Sequence, residues 1–422
     1  MHPETVMRTL HILALLASMA PWHGAVAEDL VITNARIIDG TGLTIENGEI
    51  VIAGGRISAV RDAATGPSPA GAVTIDANGM TVMPGMIDTH RHDLFADLRG
   101  FTLIDSDAGV AAAIDAQTPA KLGTLLDEGF TTVMMPGLYL EAALDVRRRL
   151  ASGDLEGPRL LFSGPAFTAP GDFPVKGMVC GENAYCSANV AFEITGAEDA
   201  RAHVGELSGA GVDAIKVMRD KTGNDLDEVT FRAIVAEADE VDLPVYLHAH
   251  GVDVMLDGVR LGADRLAHTP SDALLSAGPA ARLMRENEVA VATTVSFTSP
   301  QFAEAMGFPY QAADRHERLL QNIRHLVDEG VPVAFGTDSP DLRPIVEILE
   351  LGKVLAPAEV VATLTTDAAT YLDMQNEIGT LEPGKIADIV IIDGDPLTDL
   401  SDLVNVELVI QGGRVVVDDR SP

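Results

Sequence analysis

The chain carries at residues 83–92 the run MPGMIDTHRH, which decides how the rest of the sequence is interpreted. Residues 82–87 are apolar apart from a Pro-Gly break, which predicts a short buried strand that ends at polar residues. Because side chains two positions apart on a strand point to the same side, His90 and His92 can present two imidazoles to one metal ion. A lone His-x-His pair is weak evidence, so its interpretation depends on the later strands.

The middle of the chain alternates predicted strands with amphipathic helical segments such as residues 197–209 and 227–240. This alternation indicates an α/β protein with a parallel sheet. Eight strands with intervening helices predict a (β/α)8 TIM barrel, whose active site lies at the carboxyl ends of the strands. The eight predicted strands are residues 82–90, 131–135, 159–163, 212–218, 244–248, 265–268, 289–294 and 332–338.

Both ends of the chain consist of short predicted strands separated by glycine-containing turns. We therefore expect a small β-sandwich domain assembled from residues 28–81 and 378–422. The barrel would occupy residues 82–377, between the two halves of this domain.

The composition is that of a globular protein with a strong excess of acidic groups. Of 422 residues, 47% are hydrophobic and 22% are charged, which argues against disorder. The formal net charge of -34 disfavours binding to a nucleic acid, because its phosphate backbone would be repelled. A small-molecule substrate is expected instead, and a homo-oligomer is left open.

The first 27 residues have the features of a secretory signal peptide. Arg8 precedes an apolar stretch at residues 10–20, and Ala-Val-Ala at residues 25–27 matches a cleavage site. The alternative is a buried N-terminal helix, since the stretch is too short to span a bilayer comfortably. We expect residues 1–27 to be removed and the mature protein to be periplasmic or secreted from a bacterium.

Export would place the two cysteines, Cys180 and Cys186, in an oxidising compartment. A disulfide is the favoured interpretation there, and two unpaired thiols are the alternative. Zinc ligation is disfavoured, because no second pair of Cys or His residues follows nearby.

Later predicted strands end in further residues able to bind metals. Lys216 lies in the fourth strand, where an unpaired ammonium would be costly to bury. Taken singly, His248 and His268 could each be a core histidine, and Asp338, after Gly-Thr, could be a helix cap. Their shared position at one end of a barrel favours a metal site.

These residues resemble the amidohydrolase superfamily of metal-dependent hydrolases, and within it the imidazolonepropionase-like and prolidase-like members. The resemblance covers nearly the whole chain after the leader and includes GTLEPGKIADIV at residues 379–390 and Asp-Pro-Leu at 395–397. The other motifs that carry it are PGMIDTHRH at 84–92, IKV at 215–217, HAH at 248–250, His268 and GTD at 336–338.

The resemblance implies two zinc ions per chain. In such a site imidazoles and a carboxylate hold the metal and leave a position for water, whose pKa falls to about 7. Lys216 would react with carbon dioxide to give a carbamate that bridges the two ions. His90 and His92 would hold one ion with Asp338, and His248 and His268 the other.

The resemblance also implies the roles of the catalytic residues. Asp338 would carry a proton from the attacking water to the leaving group, and Lys216 would act through its carbamate. His250 and Arg91 are candidates for substrate contact, although a hydrogen bond that orients a neighbour is equally open for His250. Many relatives have Gly-Gly-His where this chain has Gly-Asp-Phe at residues 171–173, in a loop expected to line the pocket.

Together these features predict an exported metal-dependent hydrolase that cleaves an amide, peptide or cyclic amide bond through a metal-activated water. Hydrolysis of an ester, lactone or carbamate at the same site is an alternative. A metal-binding protein without catalytic activity is a further one, although it would have no need of Asp338.

Overall fold

The computed structural model describes residues 28–62, 70–92, 94–95, 103–171, 180–220, 225–275, 278–307, 310, 312–338 and 342–420. The predicted leader, residues 1–27, and residues 172–179 of the expected pocket loop lie outside this part of the chain. Among the described residues, no helix is both long and apolar enough to cross a membrane.

The described chain forms α/β structure in which most predicted elements are present. The strands are β1 (Leu30–Ile38), β2 (Thr44–Ala53), β3 (Arg56–Asp62), β4 (Val73–Asp76), β5 (Thr81–Pro84), β6 (Met86–Asp88), β7 (Phe130–Met135), β8 (Arg159–Phe162), β9 (Ala166–Thr168), β10 (Ala191–Glu193), β11 (Ile215–Met218), β12 (Val245–His248), β13 (Arg265–Leu266), β14 (Ala290–Ala292), β15 (Val333–Ala334), β16 (Ile389–Ile392), β17 (Val406–Gln411) and β18 (Arg414–Asp418). The helices are α1 (Asp107–Asp127), α2 (Leu140–Ser152), α3 (Ala184–Val190), α4 (Ala197–Ala210), α5 (Glu228–Glu240), α6 (Val252–Leu261), α7 (Pro279–Glu286), α8 (Pro300–Met306), α9 (Ala313–Asp328), α10 (Pro344–Leu351), α11 (Pro357–Leu364) and α12 (Thr366–Tyr371).

Strands from both ends of the chain share one sheet, in the order β18-β17-β16-β5-β1-β2-β3, with β4 paired to β1. Its centre is β5, which runs parallel to β1 and antiparallel to β16. Alternate side chains such as Ile32, Ile50 and Ile389 are fully buried and form a core of their own. The sandwich arrangement expected for this region remains a prediction.

The middle of the chain forms two parallel sheets, β6-β7-β8 and β10-β9-β11-β12-β13-β14-β15. Their strands are buried along nearly their whole length, as expected where helices cover a parallel sheet. Backbone hydrogen bonds also join the edges of the two sheets. The Thr89 N–H donates to the Phe335 carbonyl at 2.9 Å, and the Asp213 N–H donates to the Phe162 carbonyl at 2.8 Å.

The predicted strand over residues 82–90 is divided at Gly85 into β5 and β6, so the chain passes there from the mixed sheet to a parallel one. A side chain has no room at this position, since a Cβ on Gly85 would lie 2.3 Å from Thr131 Oγ1. Close packing of the Gly85 backbone against the Thr131 side chain therefore explains the glycine of the Pro-Gly break.

The structure joins Cys180 and Cys186 in a disulfide, which confirms the favoured pairing. Between them Asn183 caps α3, and its side-chain amide donates to the Ile104 carbonyl at 2.7 Å. The Tyr185 hydroxyl donates to Asp107 Oδ1 at 2.5 Å, at the start of α1. The bridged segment is thus attached to the helix that follows β6.

Candidate metal centre

The predicted ligands lie at the carboxyl ends of strands in the two parallel sheets. His90 and His92 follow β6, while Lys216 is within β11. His248 is the last residue of β12, His268 lies two residues past β13, and Asp338 lies four residues past β15. This edge is where parallel α/β sheets place their active sites.

His90, His92 and Asp338 form one group of converging ligand atoms. The two Nε2 atoms of His90 and His92 are 3.0 Å apart. Asp338 Oδ1 lies 3.3 Å from His90 Nε2 and 3.2 Å from His92 Nε2. Asp338 has a left-handed backbone with φ of 52°, and its N–H donates to the His90 carbonyl at 2.8 Å. The backbone itself therefore aims the carboxylate at both imidazoles.

His248, His250 and His268 form the second group. His248 Nδ1 lies 2.7 Å from His268 Nε2, and the ring of His250 stacks on that of His268 at a centroid distance of 4.9 Å. The two groups adjoin each other, because Asp338 Oδ2 is 3.6 Å from His268 Nδ1. Six of the predicted site residues thus occupy one compact region together with Lys216. The charge of Lys216 lowers the pKa of a histidine in each group, His90 and His268.

Burial sets the protonation states of these groups. It lowers the pKa of His248 to about 4 and holds the pKa of His90 and His268 well below the usual histidine value. Burial likewise lowers the pKa of Lys216 to about 7, against the opposing effect of Asp338. The buried imidazoles are therefore neutral at pH 7, which is the form that binds metals.

Asp338 remains ionised although it is buried. Burial raises the pKa of its carboxyl, but the rings of His90 and His92 outweigh that effect and bring the pKa well below its usual range. A carboxylate that faces two imidazole nitrogens completes a nitrogen and oxygen donor set.

These side chains fit divalent cations. Within each group imidazole nitrogens face one another at 3.0 or 2.7 Å, and an imidazole in its neutral form can offer a lone pair there. Paired imidazoles with a carboxylate are the ligands that zinc and related ions prefer. His90, His92 and Asp338 could hold one cation, and His248 and His268 a second.

Arg91 is placed beside a buried carboxylate that the sequence analysis did not single out. Arg91 Nη1 lies 3.3 Å from Asp88 Oδ2, and both side chains are buried. Asp88 also accepts hydrogen bonds from the His90 N–H at 3.0 Å and from the Thr337 hydroxyl at 2.8 Å. Burial raises the pKa of Asp88 to about 6, although Arg91 opposes this. A contact between Arg91 and substrate remains a prediction.

A second unpredicted carboxylate, Glu347 of α10, supports the end of β14. It is fully buried and accepts hydrogen bonds from the Thr293 hydroxyl at 2.5 Å and from the Val295 and Ser296 N–H groups at 2.8 and 2.5 Å. Between them Thr294, with a left-handed φ of 47°, places its hydroxyl 3.2 Å from His268 Nδ1. The only feature of the sequence that points to Glu347 is the presence of an acidic residue in the apolar helix PIVEILEL.

A third carboxylate, Asp220, contacts the second histidine group. Asp220 follows β11, and its Oδ2 lies 2.9 Å from the ring Nδ1 of His250, within hydrogen-bond distance. The sequence places Asp220 four residues after Lys216, but no motif marks it as part of the site.

Comparison with known proteins gives one consistent family. The sequence profile of the amidohydrolase family matches residues 81–416. The 5-methylthioadenosine/S-adenosylhomocysteine deaminase of Symbiobacterium thermophilum is 26% identical over 93% of this chain and 94% of its own. An imidazolonepropionase of Caulobacter vibrioides is 29% identical over 86% of this chain and 93% of its own. The solved structure of a prolidase complexed with N-methylphosphonate-L-proline superposes with a TM-score of 0.76 at 27% identity, covering 92% of this chain and 99% of that one.

The burial of Glu347 predicts a pH-dependent stability. Burial raises the pKa of its carboxyl from 4.5 to about 7, despite the opposing hydrogen bond from Thr293. Its contribution to the free energy of unfolding is therefore fully present below pH 4.5 and is lost as the pH rises through about 7. Urea unfolding at about pH 4.5 and about pH 8 should show the difference between wild type and Glu347→Gln shrinking by roughly 3 kcal/mol.

The matched control is Glu359→Gln, which removes a half-buried carboxylate whose pKa is lowered by a hydrogen bond from Arg324. For this variant the difference from wild type should not shrink as the pH rises. A difference for Glu347→Gln that is the same at both pH values would show that folding does not raise the pKa of Glu347 above 4.5.

Proposed function

This chain belongs to the amidohydrolase family and is a hydrolase that acts on carbon–nitrogen bonds, and from that premise we propose that it cleaves an amide, peptide or cyclic amide bond of a small molecule with two zinc ions. The observation that carries the proposal is the pair of adjoining histidine groups with Asp338 between them. His90, His92 and Asp338 would hold one ion, and His248 and His268 the other. Bound there, zinc supplies the Lewis acidity that activates a water and polarises a carbonyl.

Lys216 is proposed as the ligand shared by both ions. Its side chain is buried at 2% exposure beside neutral imidazoles, where an ammonium is poorly accommodated. In the carbamate form, the amine nitrogen bonds to the carbon of carbon dioxide and releases one proton, which leaves an anionic oxygen ligand. This change converts an unfavourable buried cation into a group that suits two metal ions.

Asp338 is proposed as the proton carrier. Oδ1 faces His90 and His92, while Oδ2 faces His268, so the carboxylate borders both halves of the site. It would accept the proton of the attacking water and deliver it to the nitrogen of the leaving group as the C–N bond breaks. The backbone hydrogen bond from Asp338 to the His90 carbonyl keeps it in place for both transfers.

The two parallel sheets are proposed to form one (β/α)8 barrel over residues 82–377. Support comes from the hydrogen bonds that join β6 to the end of β15, and β8 to the residues before β11. Residues 28–81 and 378–422 are proposed as the accompanying β domain, in line with the sheet that their strands share.

Export is proposed from the first 27 residues, and it predicts a defined amino terminus. Cleavage after Ala-Val-Ala should leave a mature protein that begins near Glu28. Amino-terminal sequencing of the protein from its native host checks this. Because the only tryptophan, Trp22, lies in the leader, the mature protein should also lack tryptophan fluorescence. A full-length cytoplasmic product would contradict export.

The metal content provides a direct test of the site. Elemental analysis of the purified protein should find about two equivalents of divalent metal per chain, since two separate ligand groups are present. A value of one that persists after zinc and bicarbonate are supplied would indicate a mononuclear site with an unmodified Lys216.

The catalytic role of Asp338 is tested by Asp338→Asn, which keeps the shape of the side chain but removes its basicity. We expect kcat to fall on the order of 10²-fold or more. The assay is a panel of N-acyl amino acids, dipeptides, hydantoin-like rings and lactones with zinc-loaded protein. Near-normal turnover by a variant that retains its metal would exclude the proton-carrier role, and a wild type that cleaves only lactones would contradict the proposed bond type.

A further inference from the structure

Asp220 connects two histidines of the second group through a single carboxylate. Its Oδ1 accepts the backbone N–H of His250 at 2.9 Å, and its Oδ2 receives the ring Nδ1 of the same residue at 2.9 Å. The same Oδ2 lies 3.4 Å from His248 Nε2. The backbone holds this arrangement from the other side, because the Arg219 N–H donates to the His248 carbonyl at 3.0 Å.

These contacts determine which ring nitrogens carry protons. A carboxylate accepts hydrogen bonds and cannot donate one when ionised, so the nitrogen facing it is the protonated one. Asp220 acts as the acceptor here, because its Oδ1 accepts the backbone N–H of His250 and its Oδ2 faces a ring nitrogen of both histidines. The 2.9 Å contact therefore places the ring proton of His250 on Nδ1. His248 Nε2 makes no hydrogen bond, but it lies 3.4 Å from the same oxygen, and a proton on that nitrogen is the form that the carboxylate attracts.

The other nitrogen of each ring is then left with a lone pair. In His248 this is Nδ1, the atom 2.7 Å from His268 Nε2, where the second cation is proposed. In His250 it is Nε2, on a ring that stacks on His268 and is 29% exposed. Both ring nitrogens that carry a free lone pair thus lie on the edge of their ring that does not face Asp220.

We propose that Asp220 is a positioning residue that sets the ring tautomers of His248 and His250 together, so that one ring binds the second cation and the other offers Nε2 as a hydrogen-bond acceptor to substrate. The inference rests on the two-cation site of the proposed function. A carboxylate behind a ligating histidine orients the ring and raises its basicity, and losing one typically costs 10–100-fold in metal affinity.

Among the described residues, the charged neighbour of Asp220 in sequence, Arg219, does not provide this contact. Arg219 points away from the histidines, with Nη2 3.1 Å from Asp257 Oδ2 and its guanidinium over the ring of Phe231 at 5.2 Å. Asp257 is therefore a matched control, since it is a carboxylate in the same region that contacts Arg219 rather than the second histidine group.

The first experiment compares zinc binding by wild type, Asp220→Asn and Asp257→Asn, each as the full chain stripped of metal with a chelator. Calorimetric titration should show two binding steps in wild type and in Asp257→Asn. In Asp220→Asn we expect one step to weaken by 10–100-fold and the other to remain within about twofold. Equal affinities for both steps in Asp220→Asn and wild type would overturn the assignment.

The second experiment reads the tautomers directly and does not depend on the variant folding. Long-range 1H–15N spectra of the full chain labelled with 15N-histidine should show His250 protonated on Nδ1 and His248 protonated on Nε2. Protonation of His250 on Nε2 in wild type would overturn the inference. If wild type itself binds fewer than two zinc ions, the proposed function fails as well, which distinguishes that result from a failure of Asp220 alone.

Discussion

Ionisable groups that are removed from water must be neutral, paired or bound to a metal, and this constraint shapes the end of the parallel sheets. His90 and His268 meet it by staying neutral, because burial lowers their pKa. Asp338 meets it by lying within 3.3 Å of two imidazoles. The cluster combines neutral and paired groups, and the lone pairs that they leave are what a divalent cation requires.

Carboxylates that are not candidate metal ligands hold the strand ends in position by accepting hydrogen bonds. Asp88 accepts hydrogen bonds from His90 and from both the N–H and the hydroxyl of Thr337, so it ties the end of β6 to the end of β15. Glu347 holds the turn after β14 in the same way, by accepting hydrogen bonds from three donors. Ligand geometry therefore depends on buried acceptors supplied by other segments of the chain, in keeping with the cost of leaving such donors unpaired.

Much of this arrangement could be predicted from local patterns. The HRH and HAH motifs, Lys216 and Asp338 were recognised because each stands where a predicted strand ends, and strands are readable from their apolar runs. The carboxylates that support them could not be recognised in this way. Asp220 looks like any polar residue after a strand, and Arg91 gives no sign that its partner is Asp88.

The sequence by itself determined the alternation of strands and helices, the residues able to bind metal and the family, because these follow from periodicity and short motifs. Only the tertiary structure decided which side chains meet. Asp220 and His250 are 30 positions apart, and Glu347 and Thr293 are 54 apart. Such contacts form only once neighbouring strands have aligned their carboxyl ends, so they depend on the packing of whole βα units and on no local pattern.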